Sequence, residues 1–182
     1  MTPKQSWILD DTNPLLRKTC NDLVLPVSNE EQLLIDQMQS YVDACYNQQD
    51  EQYHIRGGIA LAGPQVGLMK KVIYIHFKEG EKEHKYLIAN PKMISESVVY
   101  AYLHDGEGCL SVNSEHPGIV KRRNRIIVVA YDLLNKQNIT IDAQGYLAIC
   151  LQHEMDHLNG VLYYDRINAQ SPTSVGADWI KY

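Results

Sequence analysis

The segment that most restricts what this chain can fold into is His153-Glu154-Met155-Asp156-His157. On a helix, residues four apart project from one face, one turn above the other, so two imidazoles at this spacing can share a divalent metal. Glu154 then lies about 100° round the helix from His153, angled to reach a bound water rather than the ion. That is a general-base position. The helix is expected from about Gly145 to Asn159, stopped by Gly160, a residue type favoured just past a helix end. Tyr146 to Leu151 carries no charge, which describes a helix surrounded by protein on most faces. The plainer reading of the same spacing is a pair of hydrogen-bonded core histidines.

The rest of the chain has to supply the surroundings of that helix. Its 182 residues, 45% hydrophobic and 21% charged, suffice for one core, so a single domain over residues 1–182 is the expectation. The longest apolar run, Ile126 to Tyr131, is far short of the roughly 18 residues of a membrane span. Met1 to Asp10 has no apolar stretch of the kind a secretory signal needs, so a cytoplasmic address is expected. A net charge of -5 disfavours nucleic-acid binding, DNA included, as the main activity. With that address, Cys20, Cys45, Cys109 and Cys150 read as free, buried or ligating thiols rather than disulfides.

Met1 to Pro26 is irregular and is expected to wrap the surface of a later core. Ser28 and Glu31 have the capping-box form, and Leu34, Met38, Tyr41, Val42 and Cys45 follow at helical spacing, predicting a helix over Asn29–Gln49. Its other face, with Asp36, Gln39, Asp43 and Gln48, reads as solvated. Short β-branched and aromatic runs predict strands at Val72–Phe77, Tyr86–Ala89, Val98–Leu103, Ile126–Tyr131 and Asn138–Ile141, with a hairpin turn at Leu133–Gln137. The fold class is α+β: small, mostly antiparallel sheets around a central buried helix carrying the H-E-x-x-H motif.

A catalytic metal site needs a third protein ligand and an open position for water. The extended metalloprotease pattern would put a third histidine at position 163, where this chain has Tyr163, and no glutamate follows Glu154 to serve as a thermolysin-like ligand. Asp165 keeps an aspartate-ligated peptidase open. The upstream candidate is Cys109, in Glu107-Gly108-Cys109-Leu110-Ser111, whose thiolate would complete a Cys-His-His set. Cys150 shares the histidines' helix face but sits a full turn before His153, too far to reach the same ion as both histidines, and reads as a wall of the site. If both cysteines did bind, the result would be a closed structural zinc site. The small-residue segment Gly58 to Gly67 would let a peptide approach the backbone closely, and the Gln65 amide beside the metal could bind an oxyanion. A phosphate loop fails there because Pro64-Gln65 follows Gly63 in place of lysine and Ser/Thr.

Together, Gly58 to Gln65, Glu107 to Ser111 and His153 to His157 make the chain resemble the peptide deformylases. The resemblance runs from Pro14 to Asp165, and the long Tyr100–Val112 approach, the Asn124-Arg125-Ile126 run and the non-helical tail look like the Gram-positive-type (type II) subclass. It implies Cys109, His153 and His157 as metal ligands, Glu154 as the acid/base, and Gln65 with the backbone N–H of Leu110 holding the formyl oxygen. Ile59, Tyr146, Ile149 and Cys150 would line a methionine pocket, while Ala60 and Gly108 meet the peptide backbone. The implied metal is iron(II), replaceable by nickel, cobalt or zinc, where spacing alone suggests zinc. The implied activity is removal of the N-formyl group from the initiator methionine of nascent bacterial chains, releasing formate. A monomer is expected, with transient ribosome contact and no membrane partner.

Some details follow from that placement. Glu107 and Arg122 either pair to brace the cysteine loop or stand as two solvated charges. Lys121 to Arg125 reads as a solvated strand edge in preference to a contact with ribosomal RNA. Ala60 and Gly63 stand where many family members carry glycine and alanine, small residues exchanged for small ones. The tail lacks the basic helix by which the Gram-negative subclass docks on the ribosome, and His54, His76, His84, His104 and His116 are given no role.

Overall fold

The computed structural model describes residues 1–182. Eight strands form in chain order: β1 (Ala60–Ala62), β2 (Val72–Glu79), β3 (Lys82–Glu96), β4 (Tyr100–Tyr102), β5 (Arg122–Arg123), β6 (Arg125–Asp132), β7 (Gln137–Gln144) and β8 (Ile180–Lys181). Three helices join them: α1 (Asn29–Tyr46), the short α2 (Asp50–Tyr53) and α3 (Tyr146–His157). Five strands make one sheet in the order β1-β2-β3-β6-β7, antiparallel at every pair. A second sheet, β5-β4-β8, pairs β4 antiparallel to β5 and parallel to β8. The architecture is therefore mixed α/β with antiparallel sheets.

The period of two along a strand sends alternate side chains to opposite faces, and the larger sheet uses both. Ala60, Ala62, Ile73, Ile75, Ile88 and Val128 join Leu147, Ala148 and Leu151 of α3 in one apolar cluster. Leu61, Val72, Tyr74 and Leu87 join Ile35, Met38, Tyr41 and Val42 of α1 in the other. The sheet is thus the shared wall of two cores. Nine of the twelve residues of α3 are buried, as the uncharged run from Tyr146 to Leu151 implied. No helix is long and apolar enough to cross a membrane.

Helix α1 begins where the capping box places it: Ser28 Oγ accepts from the Glu31 N–H, and Glu31 accepts from the Ser28 N–H. It ends at Tyr46 rather than Gln49, because Gln48 turns to a φ of 58° and α2 starts afresh at Asp50. Its polar face is not wholly solvated. Asp43 accepts hydrogen bonds from Tyr74 Oη and His76 Nδ1, so a residue read as surface joins the helix to the sheet. His76, left without a role, also meets Glu83 through Nε2 at 2.7 Å and stacks on Tyr46. The first 26 residues do more than wrap the surface, since Leu16, Cys20 and Leu23 are buried and the Cys20 N–H donates to Leu158 O just past α3.

The run Lys121 to Arg125 is a solvated edge only in part, with Lys121 and Arg125 exposed. Arg122 is 3% exposed and Asn124 6%, while Lys121 and Arg123 both lie over the Tyr100 ring. Strand β1 was not predicted: three residues are too few to show a period, and pairing with Ile73 to Ile75 makes them a strand. Gly63 sits in a tight turn. A Cβ there would meet the backbone oxygens of Leu68 and Lys70 at 2.6 Å, so glycine and alanine are not interchangeable at this position.

Candidate active site

Gly145 opens α3 with a φ of 63°, a left-handed turn that glycine makes without steric cost, and α3 then runs beneath the end of β1. Helical spacing brings the rings of His153 and His157 to 5.0 Å between centroids. The loop after β4 carries Cys109 in from the side, its Sγ 3.2 Å from His157 Nε2. One ligand atom from each of Cys109, His153 and His157 lies within 4.8 Å of the others, and all three residues are buried. Two nitrogens and a sulfur converging in this way match the donor set of a divalent transition metal.

Around these three the polar groups are closely tied. His153 Nδ1 meets Glu107 at 2.8 Å, which fixes the ring and leaves its other nitrogen facing the cysteine. Arg122 grips Glu107 with two nitrogens at 2.7 and 2.8 Å and reaches Asp156 at 2.6 Å with the third; Arg166 closes the chain on Asp156. Burial alone would raise the Glu107 carboxyl, but Arg122 and His153 hold it down at about 2. The brace between Glu107 and Arg122 is thus a buried ion pair rather than two solvated charges. Burial pushes the Glu154 carboxyl up to about 7, with Glu107 adding to the rise, and its Oε2 has no hydrogen-bond partner. Burial lowers His157 well below the usual imidazole range, which keeps the ring neutral as a metal ligand requires.

A cavity of about 360 Å³ opens onto this cluster. Ile59 and Ala60 form one side with Gln65; Gly108, Cys109 and Leu110 form another. The helix contributes Tyr146, Ile149, Cys150, His153 and Glu154. His157, 1% exposed, lies behind them against Cys109. Gln65 is held by accepting from the Ala62 N–H at 2.8 Å, and its Nε2 points at Cys109 Sγ and Ser111 Oγ, 3.6 and 3.2 Å away. No backbone oxygen accepts from the Leu110 N–H. The structure therefore brings all the sequence-predicted site residues to one place.

The competing ligands stand elsewhere. Tyr163 stacks its ring on His153 at 6.1 Å, and Asp165 is tied to Arg17 and to the Leu162 N–H. Cys150 lines the cavity outside the three-residue cluster, so no closed Cys2His2 site forms. Sequence reasoning missed Leu103 and Arg56, which also line the cavity. Leu103 stands at the end of a predicted strand and could have been noticed. Arg56 bonds to backbone oxygens of residues more than fifty positions away, for which no residue pattern exists.

Comparison with known proteins places the chain in a family. The model of the polypeptide deformylase family matches residues 5–173. A peptide deformylase of Malacoplasma penetrans is 45% identical over 179 residues, covering 98% of this chain and 96% of that protein. Peptide deformylase 2 of Bacillus anthracis is 41% identical over 170 residues, covering 91% of this chain and 90% of the relative. Among solved structures, the peptide deformylase of Ehrlichia chaffeensis superposes with a TM-score of 0.74 at 29% identity, covering 94% of this chain and 91% of its own. The deformylase of Vibrio parahaemolyticus bacteriophage VP16T, solved with actinonin, gives 0.65 at 35% identity, covering 85% and 98%. A family match over nearly the whole length, on a chain whose metal-type cluster is already assembled, means that this protein belongs to the polypeptide deformylases.

Proposed function

We propose that each residue of the cavity takes the part its position allows in the family's reaction, hydrolysis of the N-formyl group from the initiator formyl-methionine of nascent polypeptides with release of formate. The observation that carries the reading is the convergence of Cys109, His153 and His157 next to a buried, unpartnered Glu154 oxygen. Cys109, His153 and His157 would hold one divalent metal, which when bound supplies a more acidic water and a polarised carbonyl. Iron(II) is the ion we assign, with nickel, cobalt or zinc as replacements.

Glu154 takes the proton of the attacking water and passes it to the leaving amine, a two-way transfer suited to a carboxyl raised to about 7. The Gln65 amide and the Leu110 N–H bind the formyl oxygen as negative charge develops on it. Ile59, Tyr146, Ile149 and Cys150 wall the pocket for the methionine side chain, an apolar surface that suits a flexible thioether. Ala60, on the unpaired edge of β1, and Gly108 receive the peptide backbone. Helix α3 is, in this reading, the central helix of one catalytic domain spanning residues 1–182.

The enzyme works in the bacterial cytoplasm as a monomer of the Gram-positive-type subclass, contacting the ribosome only transiently. The pairing of β8 with β4, in place of a terminal helix, supports the subclass assignment. Formate release from a formyl-Met tripeptide tests the function, using protein loaded anaerobically with iron(II) or aerobically with nickel and unformylated peptide as the blank. Rapid release is expected; none, with metal bound, would overturn the assignment.

A further inference from the structure

The chain has six arginines, and five of them, Arg17, Arg122, Arg123, Arg125 and Arg166, pair with carboxylates. Arg56 pairs with none. Its guanidinium instead faces four oxygens of the cysteine loop: Nη2 donates to Cys109 O at 3.3 Å, and Nη1 is shared among Leu110 O at 3.3 Å, Val112 O at 3.1 Å and Asn113 Oδ1 at 3.1 Å. The backbone beneath it is fixed on both sides. The Arg56 N–H donates to Gln5 Oε1 at 2.8 Å, and Arg56 O accepts from Tyr41 Oη at 3.0 Å. An unneutralised charge is thus held at the wall of the cavity, against the loop that bears Cys109.

One of those oxygens belongs to the peptide unit joining Cys109 to Leu110. Cys109 O also accepts from the Val112 N–H at 3.1 Å, and in a planar trans peptide the C=O and N–H point in opposite directions, so fixing Cys109 O against Arg56 turns the Leu110 N–H to the side away from Arg56. That N–H has no backbone acceptor. A cation on the carbonyl also polarises the peptide and makes its N–H a stronger donor, the cooperative effect of linked hydrogen bonds. We propose that Arg56 is a positioning residue for the reaction: it aims and polarises the Cys109–Leu110 peptide so that the Leu110 N–H binds the formyl oxygen most strongly when that oxygen carries charge. This inference rests on the reading of the Leu110 N–H as an oxyanion donor.

The test compares Arg56→Gln and Arg56→Lys with the parent protein, all nickel-loaded, using a formyl-Met tripeptide. Nickel affinity by chelator competition and the melting temperature are measured on the same samples. Removing one oxyanion donor costs about 100- to 1000-fold in kcat, and weakening one should cost about 10- to 100-fold. The expected result for Arg56→Gln is a loss of that size in kcat, with KM and nickel affinity each within about threefold of the parent. A purely structural role would lower metal affinity and melting temperature together and leave kcat per bound nickel unchanged, which would overturn the proposal. Arg56→Lys keeps the charge but not the fork, so an intermediate kcat is expected; should the glutamine variant not fold, a parental kcat in Arg56→Lys would decide against the proposal. Gln65→Ala, run alongside, separates the two levels. A kcat loss there without one in Arg56→Gln overturns only the role of Arg56, whereas no loss in either overturns the formyl-oxygen reading beneath it.

Discussion

In the proposed reaction turnover depends on Glu154 while metal binding does not. Glu154→Ala should lower kcat by about 100-fold or more with the metal content unchanged, since the carboxylate is not among the ligand atoms. Metal analysis and formate release on one preparation check both halves. Cys109→Ala should lose the metal itself, read as at least a tenfold weaker affinity in chelator competition. Glu107 offers a pH test. Its carboxyl is held at about 2 against an ordinary 4.5, so the stability it contributes is complete above pH 4.5 and is lost as the pH falls towards 2. Glu107→Gln should cost about 3 kcal/mol at neutral pH by leaving Arg122 short of a partner, and the gap to the parent should narrow through that acid window in urea titrations. At this scale the sequence was informative wherever spacing along one helix decides geometry, as for His153, Glu154 and His157. The placement of Arg56 was hidden because three of its four partners on the cysteine loop are backbone oxygens, which leave no mark on residue identity.

Among the elements, α1 was legible to its first residue because the capping box is a local code. Ser28→Ala should cost about 1 kcal/mol, seen as a fall of about 2–4 °C in melting temperature with activity unchanged. Strand β1 was invisible for the opposite reason: Ala60, Leu61 and Ala62 carry no period, and only the neighbouring β2 makes them a strand. The turn that follows is tighter than its small residues suggest. Gly63→Ala, which resemblance alone would pass as harmless, should destabilise by about 1–3 kcal/mol because the added methyl meets two backbone oxygens. Thermal unfolding measures it, and an unchanged melting temperature would show that the turn can widen.

For the molecule as a whole, a ligand that binds only the folded state raises its stability by mass action. Stripping the metal with a chelator should therefore lower the melting temperature, and adding nickel back at about 100 times its dissociation constant should restore about 2.7 kcal/mol. The general plan, a mixed α/β architecture with antiparallel sheets, was readable from the two helical patterns and the short β runs. The partition into two cores was not, because it depends on which face of a strand meets which helix. That partition bears on how freely the chain can change. Ala60 faces the cavity and Ala62 the core beneath it, while Leu61 between them anchors the opposite core, so a one-residue slip would drive a leucine into the cavity. No residue of β1 is spare. Under selection by an inhibitor that lies along this edge, variation should be confined to cavity residues that belong to neither core, such as Leu103 and Ile149, and the three-residue strand should stay as it is.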